Sequence, residues 1–186
     1  MTVATENFLK AIYRLNQTPG ADTKPGTLAR ELDISNAAAT DMARNLAKKG
    51  LIHYEKYQEL RLTEKGKAKA LILIRKHRLW ETLLSRLFNI GLGDIHREAE
   101  LLEHQTSDFL ARKISEYLGD PSLDPHGDPI PSTEGLIPSQ SNYMPVYKAQ
   151  EGQRYVIKRL FSSEDAFFEL CEANRLEIDA EVIIEQ

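Results

Sequence analysis

TLARELDISNAAATDMARNLAKKGLIHYE, residues 27–55, decides the fold of the N-terminal part of the chain. Leu28, Ala29 and Leu32 recur at helical spacing. Asp33-Ile34-Ser35-Asn36 then breaks the pattern with turn and N-cap residues, whose side chains bond the backbone N–H groups that a helix start leaves open. Ala38, Met42, Ala43 and Leu46 line a second helix, and Gly50 follows in the position that favours glycine. Leu51–Glu55 and Glu59–Thr63 read as short strands around Lys56-Tyr57-Gln58. Two helices about a short turn, followed by a β-hairpin, is the order of a winged helix-turn-helix. Ahead of it, Thr5 to Asn16 places Phe8, Leu9, Ile12, Tyr13 and Leu15 at helical spacing, and QTPGADTKPG (17–26) ends that helix.

In such a motif the second helix enters the major groove and its N-terminal side chains meet base edges. Its exposed early positions here are Ser35, Asn36, Ala37, Thr40 and Asp41, with Arg44 and Lys48 further along. Asn pairs with adenine, Ser and Thr bond phosphates or bases, and alanines allow close approach. Lys48 and Lys49, with Lys56 and Arg61 around the wing, suit phosphates, and Thr27 joins the DNA-facing set. The alternative is a winged helix used only for protein contacts, and Asp41 in the recognition segment speaks for it. The net charge of −4 argues against non-specific coating of nucleic acid but leaves room for a local basic surface.

TEKGKAKALILIRKHRLWETLLSRLF (63–88) reads as one long helix with Thr63 as N-cap. After GLGD (91–94), residues 94–118 read as a further helix ending at Leu118-Gly119. DPSLDPHGDPIPSTEGLIPS (120–139) holds most of the chain's eight prolines and reads as an extended or looped connection. Val146–Gln186 carries strand-like RYVIKRL and AEVIIEQ around a short helical SEDAFFELCEANR, like the start of a small β-barrel. About forty residues with two or three strands are marginal alone, so its second half is expected to be missing. The expected architecture is mainly α: a winged helix over 1–63, a helical domain over 64–140 and a partial β region over 141–186.

With 41% hydrophobic and 28% charged residues, the chain can bury a core and is not of disordered type. Its longest nearly apolar run, Ala70 to Ile74, is far too short to span a bilayer. MTVATENFLKAIYRL carries Glu6 and no basic-then-apolar leader, so no secretory signal is visible. A single cysteine, Cys171, excludes an internal disulfide framework and fits the cytoplasm.

DIHREAELLEH (94–104) concentrates histidines and glutamates. His96, Glu100 and Glu103 fall at i, i+4 and i+7 on one helical stripe, His104 lies one step around, and Glu98 points away. On the preceding helix His77 and Glu81 are again four apart, and His77 shares a stripe with Leu73, Trp80 and Leu84, so it faces inward. Two antiparallel helices would bring these pairs together as the imidazole and carboxylate donors that a divalent cation requires. A lone His or Glu of this kind is more often a satisfied core residue or a solvated one; five in two paired stripes favour metal. Hydrolysis has no support: there is no HExxH, nucleophile elbow or glycine-rich phosphate loop, and the chain reads as a non-enzyme.

The winged helix followed by RKHRLWETLL, DIHREAELLEH and LGDPSLDPHGDPIP resembles the diphtheria-toxin-repressor family of metal-dependent transcriptional regulators, manganese-transport regulators included, over residues 1 to about 140. The resemblance implies a homodimer that binds a palindromic operator when metal is abundant and represses uptake genes. It implies Mn²⁺ as the metal, with Fe²⁺ as the alternative, and two sites per subunit. His77, Glu81 and His96 would form one, and Glu100, Glu103 and His104 the other, with His77 joining the latter in manganese-type members. Glu100 stands where iron-responsive members place a cysteine, which favours the harder Mn²⁺. Asn7 matches a further ligand on the first helix that the family supplies as Asp or Met, and a neighbouring carboxylate position is Lys10. The family's C-terminal domain is SH3-like; its ligand positions fall on Ser163 and Ala166, beside Glu164. The rivals are a winged-helix regulator of a non-metal ligand, a metal-dependent hydrolase, and a metal buffer without DNA contacts.

Overall fold

The computed structural model describes all residues except 19, 57, 89, 138–142, 163–164 and 186. The described residues are mainly helical, with two small antiparallel sheets. Two compact units divide the chain: Met1–Ile74 with Thr133–Leu136, and Arg75–Ser132 with Ile137–Gln186.

In the first unit, α1 (Val3–Gln17), α2 (Pro25–Glu31) and α3 (Asn36–Lys48) enclose a core of Phe8, Leu9, Ile12, Leu28 and Leu46, joined by Leu60 from the hairpin. Thr2 caps α1 by accepting from Thr5 N, and Ser35 caps α3 by accepting from Ala38 N. The apolar face of α3 runs through Ala39, Ala43 and Leu46, so Ala39 faces inward and Ala38 is exposed, a one-residue correction to the expected stripe. The wing is shorter than expected: β1 (Ile52–His53) pairs antiparallel with β2 (Arg61–Leu62), Ile52 opposite Leu62. Tyr57, within the expected connection, lies outside the described residues.

α4 (Glu64–Phe88) is one continuous helix that begins in the first unit and continues into the second. Thr63 caps it as expected, accepting from Gly66 N at 3.1 Å while donating to Gly50 O at 2.8 Å. Gly66 is needed by close approach: a Cβ there would lie 1.9 Å from the carbonyl oxygen of Leu51.

In the second unit, residues 94–118 form two helices rather than one: α5 (Leu92–Glu103) and α6 (Asp108–Leu118). Thr106 and Ser107 make the break. The Thr106 hydroxyl donates back to Leu102 O at 2.7 Å, and Ser107 accepts from Leu110 N as the cap of α6. Leu79, Ala111, Ile114, Leu118 and Ile130 form the core between α4, α6 and the proline-rich loop. That loop is pinned: Arg75 donates to Pro131 O at 2.7 Å and to the Ser115 hydroxyl at 2.9 Å, and Arg78 donates to Pro129 O. Further on, β3 (Arg154–Val156) pairs antiparallel with β4 (Glu181–Ile183) beside α7 (Asp165–Ala173). Phe168, Cys171 and Leu160 form a small core there, with Leu92 of α5 packed against it. No helix among the described residues is long and apolar enough to cross a membrane.

Gly66→Ala should destabilise the protein by about 1–3 kcal/mol, although Ala is the better helix former, because the added methyl meets backbone. Thermal unfolding beside the exposed control Lys67→Ala, expected to be neutral, checks this.

Candidate metal centre and nucleic-acid interface

The side chains expected to hold metal converge within the second unit. His77, on the buried face of α4, stands among three carboxylates: Nδ1 lies 2.6 Å from Glu103 and 3.6 Å from Glu100, and Nε2 lies 2.9 Å from Glu81. Glu103 is fully buried and Glu81 nearly so. His96 completes the group, with Nδ1 3.1 Å from His77 Nε2 and 3.0 Å from Glu81, although its side chain is half exposed rather than inward. His104 ends α5 and places Nε2 3.4 Å from Glu103. Two ligand sets result, His77–His96–Glu100 and Glu100–Glu103–His104, each with donor atoms within 4.8 Å of one another. Glu98 is exposed.

A neutral imidazole has one ring proton, yet His77 faces a buried carboxylate at each nitrogen. A divalent cation among these side chains would offset the several kcal/mol that burying carboxylate charge costs. The donors are oxygen and nitrogen, and Cys171 is buried in a separate core. This chemistry fits a hard or borderline divalent cation.

A third set, Glu81–Asp124–His126, is wholly buried and was missed in the sequence, where DPSLDPHGDPIP reads as a connection. Asp124 Oδ1 accepts from the backbone N–H groups of His126 and Asp128, both at 2.9 Å, which turns the loop toward α4. His126 Nδ1 is 3.7 Å from Glu81, and its Nε2 is buried with no hydrogen-bond partner among the described residues. The available signal was an Asp and a His two residues apart in a loop that α4 arginines could pin.

Burial, then the charges of Glu81 and Asp128, push the Asp124 carboxyl up to about 7 against the pull of Arg78 and His126. Burial disfavours the charged form of His126, but the nearby carboxylate of Glu81, then Asp124 and Asp128, outweigh it and raise its pKa. Burial also acts to raise Glu81, yet the charge of His77, the nearby His126 and the contacts of His77 and His96 hold it well below the usual carboxylate range.

Asn7 lies on α1 in the first unit, and its side-chain oxygen is buried and accepts no hydrogen bond from the described residues. Of the C-terminal positions, Ser163 and Glu164 lie outside the described residues, and Ala166 is exposed and offers no donor.

The DNA-facing set also lies in the first unit. Ser35, Asn36, Ala37, Asp41, Arg44, Lys48 and Lys56 are exposed, and Thr27 and Thr40 are half-buried. Arg44 pairs with Asp41 at 3.2 Å, so the one acid of the recognition segment is balanced on its own helix. Thr40 donates to Asn36 O, and Thr27 donates to Asp22 at 2.6 Å. Thr40, Arg44 and Lys56 line a surface depression with Lys24, Pro25 and Tyr54; a second holds Thr27 and Asn36 with Lys24 and Arg30. Lys24, Arg30 and Tyr54 escaped the sequence reading because only folding brings them beside α3.

Residues 1–60 match the iron-dependent repressor N-terminal DNA-binding domain, and residues 63–132 match the iron-dependent repressor metal-binding and dimerisation domain. The chain belongs to the diphtheria-toxin-repressor family. As a family member it is 34% identical over 133 residues to the iron-dependent repressor IdeR of Mycobacterium tuberculosis, covering 72% of this chain and 56% of that one. It is 31% identical over 132 residues to the diphtheria toxin repressor of Corynebacterium diphtheriae, covering 71% and 58%. The chain thus spans a little over half the length of these relatives. Among solved structures, a manganese-dependent transcriptional repressor in complex with manganese superposes with a TM-score of 0.89 at 28% identity, covering 98% of this chain and 84% of that one. The manganese regulator SloR gives 0.79 at 30% identity, covering 100% and 85%.

The raised carboxyl of Asp124 binds its proton more tightly folded than unfolded, where its value is near 3.8, so ionising it costs stability up to about pH 7. The contribution of His126 is present below its ordinary 6.5 and lost as pH climbs through its raised folded value. Both act alike, so chelator-treated protein should melt a few degrees lower at about pH 8 than at about pH 6. Melting curves with Asp124→Asn should show a flatter dependence; a dependence as steep as wild type would remove Asp124 as its source.

Proposed function

We propose that this chain is a metal-dependent DNA-binding repressor, acting in the cytoplasm as a homodimer on a palindromic operator and controlling metal-uptake genes. Residues 1–63 form the DNA-binding domain, 64–140 the metal-binding and dimerisation domain, and 141–186 a partial SH3-like region. The observation that carries the reading is His77 held between buried Glu81 and Glu103 in a chain that also contains a winged helix. The ligands are His77, Glu81, His96, Glu100, Glu103 and His104, to which the loop adds Asp124 and His126. Bound Mn²⁺, or Fe²⁺ as the alternative, would offset the negative charge gathered here and favour the operator-competent arrangement. Glu100 in place of a softer sulfur supports Mn²⁺, as does the likeness to a manganese-dependent repressor and to the manganese regulator SloR; the likeness to the iron-dependent repressor IdeR supports Fe²⁺.

On the DNA side, Ser35, Asn36, Ala37 and Thr40 would meet base edges. Arg44, Lys48 and Lys56, with Lys24 and Arg30, would hold phosphates. Dimerisation is supported by exposed apolar side chains: Phe109 at 63% and Tyr117 at 70% on α6, and Leu87 and Phe88 at the end of α4. Arg86 donates to Leu118 O at 2.9 Å, which brings the two helix ends together.

Operator binding should be lost on adding chelator and restored by Mn²⁺, and Glu100→Cys should shift the response toward Fe²⁺ and Zn²⁺. Titrations with the three metals and chelator test this; binding indifferent to all of them would favour a regulator of a non-metal ligand. Lys48→Ala should weaken binding roughly tenfold across sequences and reduce its salt dependence by about one phosphate contact. Phe109→Asp should convert a dimer to a monomer in light scattering.

A further inference from the structure

α5 carries His96, Glu100 and Glu103, yet it has no cap of its own: Gly91 stands at the N-cap and offers no side chain. The cap comes from far along the chain. Glu172 of α7 accepts from Leu92 N through Oε1 at 2.6 Å. Gly91 is what admits it, since a Cβ there would lie 2.8 and 3.0 Å from the two Glu172 oxygens. The adjoining Leu92 side chain packs against the Leu160–Phe168–Cys171 core. The first turn of α5 is therefore held by a polar and an apolar contact to the same C-terminal segment. The other end is held separately, by Trp80 Nε1 donating to the Thr106 hydroxyl at 2.7 Å.

We propose that Glu172 is a positioning residue for the metal centre: its carboxylate fixes the start of α5 and so sets the placement of His96 against Glu81 and His77. This rests on the reading that these side chains hold a cation. The open N–H groups and dipole at a helix start favour a carboxylate there, and the effect is concentrated in the first turn. His96 lies just beyond that turn, and its Nδ1 meets His77 at 3.1 Å and Glu81 at 3.0 Å, distances that fraying would lose first. Glu100 and Glu103 lie nearer the end that Trp80 holds. The C-terminal segment thereby acts on the centre without donating a ligand through Glu172.

The test is calorimetric titration of the full chain with Mn²⁺, beside thermal unfolding in chelator, for wild type, Glu172→Ala, Glu172→Gln and Gly91→Ala. Glu172→Ala removes the acceptor, and Gly91→Ala displaces it from the opposite side. Both should weaken Mn²⁺ binding roughly tenfold, the scale on which partners that orient ligands act. Glu172→Gln keeps an oxygen that can accept from Leu92 N and should bind within about twofold of wild type. If wild type binds Mn²⁺ and Glu172→Ala and Gly91→Ala match it, even with lowered melting temperatures, the inference is overturned while the metal-centre reading stands. If Gln proves as weak as Ala, the hydrogen-bonded cap is overturned. A wild-type chain that binds no Mn²⁺ overturns the metal-centre reading and this inference with it.

Discussion

One imidazole serves two buried carboxylates. His77 meets Glu103 at Nδ1 and Glu81 at Nε2, and neutral imidazole has a proton for only one of them. Much of the second unit maintains this imbalance. Arginines 75 and 78 of α4 hold the proline-rich loop by its carbonyls, which keeps Asp124 and His126 beside Glu81. Trp80 and Thr106 end α5 where His104 joins Glu103. An arrangement that gathers acids around so few protons favours divalent cations, and proton release accompanies their binding.

The first unit solves a different problem, presenting polar groups to solvent from a rigid support. Ser35 has its oxygen engaged in capping α3, and Asp41 is paired with Arg44, so the recognition helix presents a balanced rather than an acidic face. The overall negative charge of the chain therefore says little about this surface, which Lys24, Arg30, Lys48 and Lys56 make locally basic.

Much was legible in advance because it depended on local chemistry. The caps at Ser35 and Thr63, the hydrophobic period of α1 and the wing order all follow from residues a few positions apart. The i, i+4, i+7 spacing of His96, Glu100 and Glu103 was equally visible. The misreadings share one origin. The break at Thr106-Ser107 is hidden in the sequence because apolar periodicity continues across it, although Ser107 is itself a cap residue. Asp124 and His126 read as loop because no periodicity marks a ligand held by turn chemistry and distant arginines.

The sequence by itself determined the helical architecture, the winged helix and the residue types of a candidate cation centre, since propensity, capping and helical spacing act over short distances. Only the tertiary structure decided that Glu100 is shared between two candidate ligand sets, that His96 sits half exposed, and that Glu172 caps a helix eighty positions away. Those facts depend on the approach of segments distant in the chain, and burial rather than spacing sets what each charge costs.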